Sequence, residues 1–398
     1  MRAEVIAIGD ELTTGQRLDT NTQWLSQRLT ELGVQVAFHT TITDELADNV
    51  AAFQAACQRA DIVVATGGLG PTADDLTRDA IATATGTKLV RDEASLAHIE
   101  QLFASRGREM PERNQVQADF PAGSVPIHNP HGTAPGIEMS IAGEARDPCT
   151  LFALPGVPAE MIEMWEATVA PRIVELQPEP RVIRHRRIKC FGVGESTLEA
   201  MLPDLISRDR EPRVGITVSH ATITLRITAT ASDEATCLAS MEPTVATIYD
   251  SLGDLVFGED DEELEHAVVR ILKERRLTLA VNELATTGLL AEWLQVADAD
   301  LAVFRIGKES NVSQIAKPHS STAASALAEK VRSEAQVDIG LAVAAFPPDR
   351  DGPDAHVCVS IALPDRTRRL RFPCAAHPAI LRSRTAKQAL NALRLALL

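Results

Sequence analysis

The stretch DIVVATGGLGPTADDLTRDA, residues 61–80, constrains this chain more than any other. Residues 62–65 have the β-branched content of a buried strand, and they lead into Gly67-Gly68-Leu69-Gly70-Pro71, a turn built of residues that tolerate positive φ. Thr72 and two adjacent carboxylates, Asp74 and Asp75, follow at the start of a helical pattern that runs over 74–84. A glycine turn entering a helix offers N–H groups and a positive dipole end to an anion, and paired aspartates are hard oxygen ligands for Mg²⁺. Thr72-x-x-Asp75 equally fits the capping box, in which the acid folds back onto the helix's own N–H groups. The window by itself allows both readings.

The surroundings repeat the same logic. Residues 4–8 read as a buried strand with Asp10 and Glu11 just past its end, where ligands collect in parallel α/β sheets. Asp19-Thr20-Asn21 supplies cap-type residues for a helix, 34–40 a second strand, 44–58 an amphipathic helix, and 61–66 a third strand. This βαβαβα alternation predicts a parallel sheet covered by helices. Helices are expected over 74–84 and 93–103, and a polar loop or helix start at 113–118. Residues 129–136 are dense in turn formers, and a strand at 151–154 ends in Pro155-Gly156-Val157-Pro158, a second strand–glycine turn–helix unit. Two such turns in one domain point to a phosphate or nucleotide site.

With 398 residues, two or three domains are expected. Pro178-Glu179-Pro180 reads as a linker. Beyond it, the basic run 181–189 fits a strand, a helix is expected over 198–205, strands at 214–218 and 222–228, and a helix over 236–252, a small α+β domain. Its basic strand is read either as a solvated charged face or as a surface for RNA, although the Gly-x-x-Gly clamp of RNA-binding modules is missing. The acidic run 259–263 suits the start of a helix over 266–273. A strand at 277–281, a polar turn at 282–288, a helix from Leu289, a Pro- and Asp-rich loop at 347–353, a strand at 357–362 and an aliphatic helix over 387–398 make up a third unit.

A net charge of −16 argues against a protein that works mainly by gripping nucleic acid. Six widely spaced cysteines without Cys-x-x-Cys spacing read as buried free thiols. No secretory apolar region opens the chain and no stretch approaches the ~20 apolar residues of a membrane span, so the expected location is the cytoplasm, away from membranes.

Together the motifs Gly9-Asp10-Glu11-Leu12, Asp19-Thr20-Asn21, Gly67 to Thr72 with Asp74-Asp75-Leu76-Thr77, Arg113-Asn114 with Gln117-Ala118, Gly132-Thr133-Ala134-Pro135-Gly136 and Leu154-Pro155-Gly156-Val157-Pro158 resemble those of the CinA (competence/damage-inducible) family. Gly192 to Ser196 is similar to that family's Gly-x-Gly-Glu-Ser. The resemblance implies three domains. Residues 1–175 would form a three-layer α/β/α domain of the molybdopterin-binding MoaB/Mog type, 181–258 a KH-like α+β domain, and 262–398 an α/β domain similar to a nicotinamide mononucleotide deamidase. It further implies metal-dependent hydrolysis of ADP-ribose, a small nucleotide, to AMP and ribose 5-phosphate with Mg²⁺, Mn²⁺ or Co²⁺, in a homodimer.

On that resemblance Asp75 and Asp74 are assigned to metal or metal-bound water, and Asp10 and Glu11 to a second metal or the ribose. Gly67, Gly68 and Gly70 are assigned to phosphate contact through their amides, and Asn21, Thr72, Asn114 and Thr133 to hydrogen bonding, with Gly132 and Gly156 completing the binding set. In the third domain the family's Ala-Glu-Ser-Cys-Thr-Gly-Gly stands here as 282–288, with Leu284 in place of the nucleophilic serine. Leucine has no nucleophilic group, so a silent domain is expected. Two alternatives are a non-catalytic pterin or nucleotide binder and a residual deamidase.

Overall fold

The computed structural model describes all residues except 143–147, 180, 203, 208–209, 310–312, 314, 351 and 353–354. Pro180 of the expected linker and Pro353 of the expected loop thus lie outside the described residues. Two compact units are formed, Met1–Arg184 with Thr230–Ala239, and His185–Ala229 with Ser240–Leu398.

The first unit contains β1 (Arg2–Ile8), α1 (Asp10–Thr13), α2 (Thr20–Glu31), β2 (Gln35–Ile42), α3 (Leu46–Arg59), β3 (Ile62–Thr66) and α4 (Thr77–Ala84). These are followed by β4 (Leu89–Arg91), α5 (Glu93–Ser105), β5 (Asp119–Pro121), β6 (Val125–Ile127), β7 (Gly136–Ile141), β8 (Cys149–Leu154), α6 (Pro158–Met164) and α7 (Ala170–Leu176). Its main sheet has the order β2-β1-β3-β8-β7-β6. Every residue of β3 and β8 is buried, the mark of strands covered on both faces. Val63 and Ala65 face a core with Phe53 and Ile81, whereas Ile62 and Val64 face one with Leu25, Leu29 and Trp165. The result is a three-layer α/β/α domain.

Two sequence expectations need correction here. The sheet is parallel only from β2 to β8, because β7 pairs antiparallel with both β8 and β6. The helix expected over 74–84 begins at Thr77, with Leu76 as a cap that makes no side-chain bond. Thr72-x-x-Asp75 therefore lies ahead of the helix and is no capping box.

The small α+β domain has β9 (Val182–Cys190), α8 (Glu195–Ala200), β10 (Arg213–Ser219), β11 (Thr222–Ala231), α9 (Glu234–Leu252) and β12 (Val256–Glu259), in the sheet order β10-β11-β9-β12. α8 stops well short of the expected 205. The basic strand β9 is not simply a solvated face. Arg184 pairs with Glu234, Arg186 with Glu242 and Glu259, Arg187 with Asp261, and Lys189 with Glu263. Most of the acidic run thus neutralises this strand, and Glu263 alone caps the following helix.

That helix, α10 (Leu264–Arg275), opens the third domain and outruns the expected 266–273. It is followed by β13 (Leu279–Glu283), α11 (Leu289–Ala297), β14 (Phe304–Glu309), α12 (Ser321–Ala335), β15 (Ile339–Val343), β16 (His356–Ala362), β17 (Thr367–Pro373) and α13 (Pro378–Leu397). The sheet order is β14-β13-β15-β16-β17. β13 replaces the strand expected at 277–281 and takes in Asn282 and Glu283, and α13 starts nine residues before the expected 387. Leu390, Leu393 and Leu397 of α13 enter the core. All six cysteines are buried free thiols.

Two buried carboxylates organise the units. Glu4 of β1 is fully buried and accepts from Arg59 Nε and Nη2, both at 2.7 Å, and from Thr40 Oγ1 at 2.6 Å. Arg59→Ala would leave Glu4 buried without a counter-charge, and a loss of about 2–4 kcal/mol is expected in urea unfolding. Asp298 accepts from the Val303 and Phe304 amides at 2.8 and 2.7 Å and lies 3.2 Å from Lys273. Burial raises its carboxyl, but these donors outweigh that and hold it at about 2, below its ordinary 3.8. A depressed folded-state pKa stabilises fully above the ordinary value and is lost as pH falls toward the folded one, so Asp298 contributes about 2 kcal/mol that disappears between about pH 4 and 2. Asp298→Asn should flatten the acid limb of the stability curve in that window, as read by circular dichroism.

Candidate functional site

The C-terminal ends of β1, β3 and β8 open on a cleft of about 630 Å³. Its wall carries Glu11, Asp44, Gly67, Gly68, Asp74, Asp75, Gln117, Thr133 and Glu160. A small recess of about 40 Å³ adjoins it and is lined by Arg17, Leu18, Asn21 and Thr66. Ile8, Glu11, Arg17, Gly67 and Gly156 border both.

The floor is the glycine loop. Gly67 and Gly68 have φ of 110° and 65°, and a Cβ on Gly67 would run into the Ile8 carbonyl. All four loop carbonyls are engaged from within. Gly67 O accepts from Thr77 Oγ1 at 2.9 Å, and Gly68 O from Thr77 N at 3.1 Å. Arg78 donates to Leu69 O at 2.9 Å and Gly70 O at 2.6 Å. Burial pulls the Arg78 guanidinium below its ordinary value, although Asp75, Asp79 and Asp119 oppose this, and the cation lies directly behind the loop. With its carbonyls turned to these donors and a cation at its back, the loop suits an anion.

The amides are distributed differently from expectation. Gly67 N donates to Leu154 O at 3.1 Å and Gly70 N to Asp75 Oδ1 at 2.8 Å, so neither is available to a phosphate as expected. Gly68, Thr133 and Gly156 keep amides without a protein partner among the described residues. Asp75 Oδ2 also accepts from Thr72 N at 2.9 Å and from the Thr72 hydroxyl. Asp75 therefore clasps the loop across residues 70–72, and Thr72 serves that clasp. Asn21 Nδ2 donates to Gly156 O at 2.9 Å and Thr66 Oγ1 at 3.2 Å, which ties the two glycine turns together. Gly132 allows residues 129–136 to close on fully buried Asn129, whose Nδ2 reaches Glu160 at 2.7 Å. Asn114 stands behind the wall, donating at 2.9 Å to Gln117, which itself lines the cleft.

The acidic side chains lining the cleft are Glu11, Asp44, Asp74, Asp75 and Glu160, and Asp10, which does not line it, pairs with Asp44. Asp10 N donates to Asp44 Oδ2 at 3.0 Å and Asp44 N to Asp10 Oδ1 at 3.2 Å. Burial raises the Asp44 carboxyl, and the charges of Asp10, Asp74 and Glu11 raise it further against the Asp10 amide. Thr72 holds Asp74 below the usual range. Among the described residues no three such groups form a ready-made ion site. Asp10, Glu11 and Asp74 are nonetheless carboxylates whose charges all act on Asp44, and oxygen donors of that kind fit a hard divalent cation.

Asp44, Arg78 and Arg17 escape a reading of the sequence, whereas Gln117 and Glu160 belong to its motifs without a role assigned to them. Asp44 had a signal, since it follows a strand end as Asp10 does. Arg78 had a weaker one, as a cation on an apolar helix.

Residues 4–175 match the family model described as "Probable molybdopterin binding domain", and 185–258 match that of the damage-inducible protein CinA KH domain. A CinA-like protein of Frankia casuarinae is 36% identical, covering 94% of this chain and 91% of its own. A relative from Caldicellulosiruptor bescii, named for competence-damage induction, is 34% identical over 99% of this chain and 98% of its own. A crystal structure of CinA from Thermoplasma acidophilum is 34% identical with a TM-score of 0.40, covering 44% of this chain and 97% of that one. No described helix is long and apolar enough to cross a membrane. This chain belongs to the CinA-like family, with a molybdopterin-binding type of first domain followed by a KH domain.

Proposed function

We propose that the first domain hydrolyses the diphosphate of ADP-ribose or a related nucleotide, releasing AMP and ribose 5-phosphate with the help of a divalent ion such as Mg²⁺, Mn²⁺ or Co²⁺. The observation that carries this is the meeting, in one cleft, of an anion-ready glycine loop and an acidic rim. Asp10 and Asp74 would hold the ion, which supplies neutralisation of the diphosphate oxygens. The Gly68 and Gly156 amides, backed by Arg78, bind the phosphate, and Arg17 borders both parts of the cleft as its cation. Asp44, with its raised carboxyl, accepts the proton of the attacking water. Water oxygen joins one phosphorus, the bridging P–O bond breaks, and the departing phosphate leaves with the bridging oxygen. Asp75 acts through the loop it clasps.

The third domain is silent in this reading. Leu284 is buried among Leu327, Ala328, Ala342 and Ala362, an apolar setting where the family's serine would need a base and substrate. The protein is taken as a cytoplasmic homodimer. A second reading, a pterin or nucleotide carrier without turnover, draws on the description of the matching domain.

AMP release from ADP-ribose with Mg²⁺, Mn²⁺ or Co²⁺ should fall by about 10²-fold or more in Asp44→Asn with the melting temperature kept, as loss of a proton acceptor predicts. Asp75→Ala should lose both activity and thermal stability, because its loop loses three donors' partner. Ligand-induced stabilisation with no product under any of the three metals would favour the carrier instead. The full chain incubated with nicotinamide mononucleotide should release no ammonia, and a steady release would overturn the reading of Leu284.

A further inference from the structure

Residues 366–398 hold eight cationic side chains (Arg366, Arg368, Arg369, Arg371, Arg382, Arg384, Lys387 and Arg394) and no carboxylate side chain, in a chain of net charge −16. Four of them sit on or beside β17, the last strand of its sheet, whose outer edge pairs with no strand among the described residues. Contrast β9, where each of four cations has an acidic partner. Arg366, just ahead of β17, and Arg368, Arg369 and Arg371 on it form no ion pair among the described residues, and Arg369 only donates to Ser325 Oγ at 2.9 Å. Glu329 accepts from Thr367 Oγ1 at 3.0 Å instead.

The two faces of the edge differ. Strand periodicity places Arg369 and Arg371, both exposed, on one face. Leu370 and Phe372, half-buried against the core cluster, lie on the other, with half-buried Arg368 at its start. An unpaired edge offers main-chain donors and acceptors to an incoming strand. Two strands of the same kind would set arginine against arginine, so a second copy of β17 is disfavoured. Nucleic acid is poorly served, because single strands bind on exposed aromatic platforms and Phe372 is turned to the core.

We propose that the outer edge of β17 is a docking site for an extended acidic peptide segment, carboxylates on the face of Arg369 and Arg371 and apolar side chains on the face of Leu370 and Phe372. The peptide adds a sixth strand to the sheet, and specificity comes from the alternation of charge.

The test uses the full chain and a fluorescent ten-residue peptide alternating Val and Glu, followed by anisotropy at about 0.05 M and about 0.5 M salt. Saturable, salt-weakened binding is expected. It should drop at least about tenfold in Arg369→Ser/Arg371→Ser, the two exposed arginines of the face that meets the carboxylates, and equally with a peptide N-methylated at alternate residues. A Val–Lys peptide should not compete. The proposal is overturned if the acidic peptide does not bind, if N-methylation leaves binding intact, or if a thymidine oligonucleotide displaces the peptide at lower concentration. It is also overturned if the double variant self-associates while binding the peptide as before, because the arginines would then serve only to keep edges apart.

Discussion

The parallel pairing of β3 with β8, from Ile62 opposite Thr150 to Thr66 opposite Leu154, is the contact on which the first domain's site depends. Nearly ninety positions separate these strands in sequence, yet each ends in a glycine turn, and register sets the turns side by side. Gly67 N then reaches Leu154 O, and Asn21 can bond Gly156 O and Thr66 at once. A shift of one residue would turn Ile62 and Val64 toward the wrong helix layer, so the same apolar burial that stabilises the sheet also aligns the cleft.

Behind that alignment stands a second device, the engagement of the loop carbonyls by Thr77 and Arg78. A glycine turn has no inherent preference for anions over cations, since it exposes carbonyls as readily as amides. Here the first turn of α4 draws in the carbonyls of residues 67–70, and the buried guanidinium adds positive charge from behind. Asp75 completes the loop by taking the amides of Gly70 and Thr72. On β9 charge is neutralised by neighbours, while the arginines of β17 form no ion pair among the described residues.

Much of this could be read beforehand. Strands β1, β3 and β8, the caps at Asp19 and the two strand–turn–helix units follow from apolar runs bounded by glycine and proline, which are local signals. The third domain was harder. β14 carries Arg, Gly and Lys within its six residues, and β17 alternates arginine with leucine and phenylalanine, so neither has the continuous apolar run that marks a buried strand. The strand expected at 277–281 lies two residues ahead of β13 because Asn282 and Glu283 look like turn residues, yet both are buried, and Glu283 accepts from the Leu290 and Ala291 amides. A buried acid that caps a neighbouring helix is invisible until the helix is in place.

The sequence alone determined the layered α/β class and the position of the cleft at strand ends, because periodicity and turn chemistry are properties of neighbours along the chain. Only the tertiary structure decided which glycine amides stay unbonded, that Asp75 serves its own loop, and that Asp44 rather than a residue of the glycine segment faces Asp10. Those are contacts between elements distant in sequence, set by sheet register and by the requirement that buried polar groups find partners.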